Sequence, residues 1–258
     1  MKARVLHAAR ACVSLGLGLS CLLVVANAIA GGDAPPKPGA APQVTFAPAA
    51  RESASSSKAP VAVYLHGMCG RAENGCPLFA EGTREFGFLA CPQANARCEG
   101  GGSSWGGDLA TREKTIDAAV AGIAAANGNA DSDAPTVLLG FSQGAYLAPQ
   151  IALDRPGKYK AMLLIGANVV LDPAMLHRAG VERVALAAGQ NDGTFLQMKK
   201  TAADLAKAGY PARFVSLGKV GHTYVGESPD TLKETVKWVT EGVTPVRTVN
   251  ASAPTTGS

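Results

Sequence analysis

The apolar run Val137-Leu138-Leu139-Gly140-Phe141 stops at a serine bracketed by two glycines, and a helix-compatible segment, Ser142-Gln143-Gly144-Ala145, begins at once. A strand, an abrupt reversal and a helix within nine residues leave few folds open. The turn is so tight that the serine backbone is strained and its neighbours have to be small. Gly140 and Gly144 remove the Cβ atoms that would clash there. A turn of this kind, a nucleophile elbow, projects the serine hydroxyl beyond the strand end. The N-terminus of the following helix aims unpaired N–H groups at the same point. By itself Gly-x-Ser-x-Gly is a common turn pattern. It gains meaning only if an acid and a histidine follow at later strand ends.

Strand-like runs alternate with helical patterns on both sides of this element. Val61–Leu65, Phe86–Ala90, Val137–Phe141, Ala161–Ile165, Val184–Ala188 and Ala212–Leu217 are the predicted strands. Their near-continuous apolar character suits parallel strands covered on both faces. Ile116, Val120, Ile123 and Ala124 share one face of a helix that Asn127-Gly128 stops. Phe195–Ala208 predicts another helix, closed by Gly209. Ser228-Pro229 opens a third, which turns Leu232, Val236 and Val239 inward. The expected fold is α/β: a doubly wound, mostly parallel sheet flanked by helices, with its ligand site outside the carboxyl ends of the strands.

The folded domain is expected at 59–243, since both ends of the chain read differently. Lys2, Arg4 and Arg10 precede an uncharged apolar stretch, Val13–Val25, and then Ala-x-Ala sites at 26–28 and 28–30. That is the pattern of a signal peptide over 1–30, giving an exported protein, periplasmic or secreted. An uncleaved anchor is the alternative, although the apolar run is short for a spanning helix. Residues 31–58, rich in Ala, Pro, Gly and Ser, form an expected disordered linker, and 244–258 a disordered tail. Three of the 24 Lys and Arg residues, and none of the 20 Asp and Glu, fall in 1–30, so the rest of the chain carries a net charge near +1. No basic patch remains to support nucleic-acid binding. No stable membrane insertion is expected after leader removal, and a monomer is expected.

Four cysteines follow the leader: Cys69, Cys76, Cys91 and Cys98. An even number in an exported chain points to two disulfides. Of the three pairings, Cys69–Cys76 with Cys91–Cys98 is expected because each closes a short local loop. The spacing lacks the close Cys-x-x-Cys pairs of a zinc site, and no metal is expected.

The predicted strand ends carry the chemistry. Ser142 follows the third strand, Asp192 the fifth and His222 the sixth, while His66-Gly67-Met68-Cys69-Gly70 follows the first. Acyl transfer to a hydroxyl needs a base to take its proton and an acid to orient that base. Ser142, His222 and Asp192 supply these roles in the order Ser, Asp, His. The backbone N–H groups of Met68 and Gln143 are the natural oxyanion donors. His66 is expected to shape the turn, His177 to lie on a surface helix, and Asp172 is the reserve acid. Trp105, in a glycine-rich loop, and Tyr224, beside His222, are candidates for substrate binding.

Gly140-Phe141-Ser142-Gln143-Gly144, taken with His66-Gly67, Asp192 and Gly221-His222, resembles the α/β-hydrolase superfamily. The likeness is greatest to the small serine esterases of the phospholipase/carboxylesterase and dienelactone-hydrolase-like group. It covers about 59–243 and implies a hydrolase acting on small carboxylic esters through an acyl-enzyme, with no cofactor. A peptidase on the same fold, or a catalytically silent binding protein, are the alternatives. The chain departs from the group at Cys69, at Gly193-Thr194-Phe195 after the acid, and at Pro149 inside the helix after the elbow. The short connection from Asn168 to Arg183 leaves no room for a lid domain. An open site acting on soluble short-chain or arylated esters is expected.

Overall fold

The structure, a computed structural model, describes residues 58–134 and 136–243. The predicted leader and tail lie outside the described residues, as does the linker except for Lys58. The elements run β1 (Ala59–Leu65), α1 (Ala72–Thr83), β2 (Phe88–Ala90), β3 (Ala96–Arg97), β4 (Ser103–Ser104), α2 (Leu109–Ala126) and β5 (Ala130–Asp131). There follow β6 (Thr136–Phe141), α3 (Gln143–Asp154), β7 (Tyr159–Ile165), α4 (Pro173–Ala179), β8 (Arg183–Ala188), α5 (Phe195–Lys207), β9 (Ala212–Ser216) and α6 (Pro229–Thr240).

One sheet has the order β2-β1-β6-β7-β8-β9, with β5 also paired to β1, and every pairing in it is parallel. β3 and β4 form a separate antiparallel ribbon. Each long strand sends alternate side chains to two cores. Val63, Leu138, Leu164 and Leu186 meet Ile116, Ile123, Leu147, Ile151, Met198 and Leu205 from α2, α3 and α5. Tyr64, Leu139, Leu163 and Ala185 meet Cys76, Phe79, Leu232, Val236 and Val239 from α1 and α6. Burial on both faces explains why the strands read as unbroken apolar runs.

All six predicted strands are present: β1, β6, β7 and β8 begin one or two residues earlier than expected, while β2 and β9 are shorter. β2 starts at Phe88 because Phe86 and Gly87 close α1 instead: both donate to the Thr83 carbonyl, at 2.9 and 3.1 Å. The periodic pattern does not predict α1, which contains Gly75, Pro77 and Gly82. Its glycines are packing requirements: a Cβ at Gly75 would collide with the Tyr64 hydroxyl, and one at Gly82 with Val236. α3 continues through the buried Pro149. Proline has no N–H to donate, so α3 depends on burial of Leu147, Ala148, Ile151 and Ala152. Arg155 anchors its far end by donating to Asp117 at 2.6 and 2.9 Å and to Glu113 at 3.1 Å on α2.

The expected cysteine pairing is wrong. The disulfides are Cys69–Cys98 and Cys76–Cys91, with Cα–Cα distances of 5.6 and 6.0 Å. The crossover from β1 through α1 to parallel β2 lays the buried face of α1, and with it Cys76, over Cys91 at the end of β2. The β3–β4 ribbon folds back so that Ser103 bridges Gly70, which brings Cys98 to Cys69. Among the described residues all four cysteines are therefore in disulfides.

Candidate active site

The carboxyl ends of β1, β6, β8 and β9 deliver the four predicted segments to one edge of the sheet. Ser142 stands between β6 and α3 with φ 50° and ψ −115°. This left-handed conformation is costly for a residue with a Cβ and marks an elbow held by its surroundings. Those surroundings are visible: a Cβ at Gly144 would overlap the Leu65 carbonyl, and one at Gly140 would lie 2.6 Å from the Gly144 oxygen. The two glycines therefore allow α3 to turn back against β1 and β6.

His222 Nε2 lies 3.0 Å from Ser142 Oγ, and His222 Nδ1 lies 2.8 Å from Asp192 Oδ2. The ionised carboxylate can only accept, so Nδ1 carries the hydrogen and Nε2 is left to accept from the serine hydroxyl. Asp192 is buried, while the His222 side chain is 48% exposed, so the chain of groups runs from the interior to an open surface. Burial by itself pushes the Asp192 carboxyl up. The Thr194 N–H and hydroxyl and the His222 ring outweigh it, leaving the carboxyl below its ordinary value. Both Thr194 groups donate to Asp192 Oδ1, at 2.9 and 3.0 Å, and leave Oδ2 free for the histidine. Thr194 was not among the predicted site residues, although an Asp-x-Thr turn is a recognisable local motif.

The acid and histidine loops are joined by backbone. Gln190 N–H donates to Gly218 O at 2.8 Å and Asn191 N–H to Val220 O at 3.0 Å. A Cβ at Gly189 would overlap the Val220 carbonyl, so the approach requires glycine. Gly166, at the end of β7, was also unforeseen. Its φ is +65°, and a Cβ there would sit 2.9 Å from His222 Cε1 and 3.3 Å from Asp192 Oδ2. Gly166→Ala is expected to displace the imidazole and lower kcat by on the order of 10²-fold. The left-handed backbone adds a stability loss of about 1–2 kcal/mol. Steady-state kinetics and a thermal melt check both, and an unchanged kcat would show that the ring has room to spare.

The expected oxyanion donors lie on the segment after β1 and at the start of α3. Gln143 opens α3, where first-turn N–H groups have no partner within the helix. The Met68 N–H donates to no backbone carbonyl among the described residues. Gly67 permits the close approach of its loop, because a Cβ there would be 3.1 Å from both Phe141 Cδ1 and Ser142 Cβ. The Gln143 side chain clamps Trp105, accepting from its N–H at 2.9 Å and donating to its carbonyl at 3.4 Å.

His66 is buried and shapes this loop, as expected. Its Nδ1–H donates to Gly67 O at 2.8 Å, while Nε2 accepts from Ala94 N–H at 3.0 Å, which requires the neutral ring. Burial lowers its pKa and favours the same state. The expectation that Trp105 lines a pocket is overturned. The side chain is 2% exposed within the core, and its Nε1–H donates to His66 O at 2.9 Å. Trp105 is a strut beneath the loop that follows β1. Tyr224 is half-buried, edge-on to Phe141 at 4.8 Å, and Phe141 lies 5.1 Å from the His222 ring. The other candidates have structural work elsewhere: Asp172 caps α4 through Ala174 N–H at 2.6 Å, and His177 packs on Tyr210.

No protein-family model matches the sequence, and no curated protein matches it. Solved structures do resemble it. Esterase PE8 is 22% identical with a TM-score of 0.55, over 76% of this chain and 98% of that one. A Bacillus cereus carboxylesterase is 18% identical with a TM-score of 0.52, over 76% and 92%. The fluorophosphonate-binding serine hydrolase F of Staphylococcus aureus is 12% identical with a TM-score of 0.54, over 76% and 91%. What these proteins share with the chain is the fold, that of the α/β-hydrolases.

Proposed function

We propose that this chain of α/β-hydrolase fold is an exported serine hydrolase that cleaves carboxylic esters. The observation that carries the reading is the unbroken hydrogen-bonded series Ser142–His222–Asp192 at the open edge of the sheet. Ser142 Oγ attacks the ester carbonyl carbon as its proton passes to His222 Nε2. The negative charge that develops on the carbonyl oxygen is met by the Met68 and Gln143 N–H groups. The tetrahedral adduct collapses, the ester C–O bond breaks, and His222 returns its proton to the leaving alkoxide. Water then repeats the sequence on the acyl-enzyme, releasing the acid and restoring Ser142. Asp192 fixes the imidazole tautomer and stabilises its cation.

The leader pattern and the two disulfides support export into an oxidising compartment. Among the described residues no helix is long and apolar enough to cross a membrane. The complete triad favours a working enzyme over a silent binding protein.

A fluorophosphonate probe tests the reading directly. It is expected to form one covalent adduct, mapped by peptide mass spectrometry to Ser142, and to abolish ester hydrolysis. A protein that resists the probe, and whose Ser142→Ala variant hydrolyses esters at the native rate, would sink the assignment.

A further inference from the structure

Seven large apolar side chains are exposed among the described residues, and five of them stand at the edge of the sheet that holds the triad. Met68 (67% exposed) follows β1, Tyr146 (43%) lies in the first turn after Ser142, Val170 (79%) follows β7, Leu196 (77%) opens α5 after β8, and Val225 (52%) follows β9. Apolar residues scattered singly over a surface need no explanation, but a cluster at one functional edge does.

Three of the five stand on segments that are hydrogen-bonded to one another. The Tyr146 hydroxyl accepts from Asn168 N–H at 2.8 Å, two residues before Val170. The same β7–α4 loop is fastened to α5 through Ala167 N–H to Met198 Sδ at 3.4 Å and Thr201 hydroxyl to Val169 O at 2.7 Å. Tyr146, Val170 and Leu196 thus sit on consecutive, mutually bonded segments beside Ser142. Those segments contain no charged side chain at 142–153, 166–171 or 193–198. Between 220 and 226 the only titratable groups are His222 and Tyr224. Within these stretches no cation stands to receive a phosphate or carboxylate, the adjoining Asp192 is engaged by His222 and Thr194, and Lys199, Lys219 and Glu227 lie just beyond them.

We propose that the substrate is an uncharged ester whose acyl group is a medium-length or longer apolar chain, laid from Ser142 across Tyr146, Val170 and Leu196. The proposal rests on Ser142 being the nucleophile. Adjacent strands are about 4.8 Å apart, so the path from the β6 end to the β8 end is about 10 Å. That is too far for an acetyl group attached to Ser142 to reach Leu196. The short-chain expectation therefore gives way to a longer acyl chain that covers apolar surface now facing water.

The test compares kcat/KM for the p-nitrophenyl esters of acetate, octanoate and a dicarboxylic half-acid, in the native protein and in Val170→Ser and Leu196→Ser. The native protein should prefer octanoate to acetate by at least about tenfold and should discriminate against the charged half-acid. Each substitution should lower the octanoate-to-acetate ratio severalfold, and the pair together about tenfold or more, from lost apolar contact. Both side chains are more than three-quarters exposed, so folding is not at stake. A native preference for acetate, or a ratio that neither substitution moves, would overturn the acyl-path proposal while leaving Ser142 labelling intact. Failure of the probe to label Ser142 would instead remove the serine-hydrolase reading beneath it.

Discussion

His222→Ala is expected to lower kcat on an activated ester by on the order of 10⁶-fold, and Ser142→Ala by about as much. The reason lies in the geometry. With Nε2 at 3.0 Å from Ser142 Oγ, the histidine is the group placed to take the hydroxyl proton, and among the described residues no second histidine stands in reserve. His66 is buried with both ring nitrogens engaged, and His177 packs on Tyr210 away from the strand ends. Because nucleophile and base act as one unit, the double variant should be no slower than either single one. Residual catalysis by the oxyanion donors and binding should persist in all three. Asp192→Asn should cost about 10⁴-fold, since an amide N–H facing Nδ1 would favour the wrong tautomer. Steady-state kinetics on active-site-titrated protein decide the matter. A fall of less than about tenfold in His222→Ala would show that another group takes the proton.

The second large effect concerns the disulfide beside the oxyanion loop. Replacing Cys69 and Cys98 together by serine is expected to lower kcat by about 10²-fold, approaching the cost of losing one oxyanion donor. Cys69 directly follows Met68, whose N–H is the proposed oxyanion donor, and has φ 51°, so the chain turns sharply there. The loop is held from outside. Cys69 N–H donates to Ser104 Oγ at 3.0 Å, Ser103 N–H to Gly70 O at 3.0 Å, and Gln93 Nε2 to Gly70 O at 2.9 Å. The disulfide is the covalent member of this set. The matched control is Cys76 and Cys91, which join α1 to the end of β2 within the core. Sequence separations of 29 and 15 predict similar chain-entropy losses, about 3–4 and about 3 kcal/mol. The Cys76 and Cys91 variant should melt at least as early, because its serines would also place two hydroxyls in the core, while kcat falls chiefly in the first. KM should change less than kcat, because the N–H groups act mainly on the transition state. Equal effects of both pairs on kcat would show that the Cys69–Cys98 bridge stabilises the fold without aiming the oxyanion donor.

Features that depend on a few neighbouring residues were legible in the chain. The elbow at Ser142 follows from two glycines and an apolar run. The strand ends that place Asp192 and His222 follow from runs buried on both faces. Helices α2, α5 and α6 announce themselves through periodicity and through Asn127, Gly209 and Pro229. α1 was illegible because its Gly75, Pro77 and Gly82 contradict helix propensity. Its formation is imposed by Tyr64 and Val236, residues distant in sequence that leave no room for larger side chains. Gly166 was equally silent, since only the folded chain shows what a Cβ at that position would strike.

The sequence by itself determined a parallel α/β sheet and the order in which Ser142, Asp192 and His222 follow its strands. Apolar runs and turn chemistry are local, and the right-handed crossover leaves little choice in where strand ends gather. Only the tertiary structure decided which cysteines meet, that Trp105 is a strut within the core, and that the segments carrying Tyr146, Val170 and Leu196 are hydrogen-bonded to one another. Each of these depends on segments tens of residues apart being packed together. Local patterns carry no record of such contacts, and burial competes with propensity to settle them.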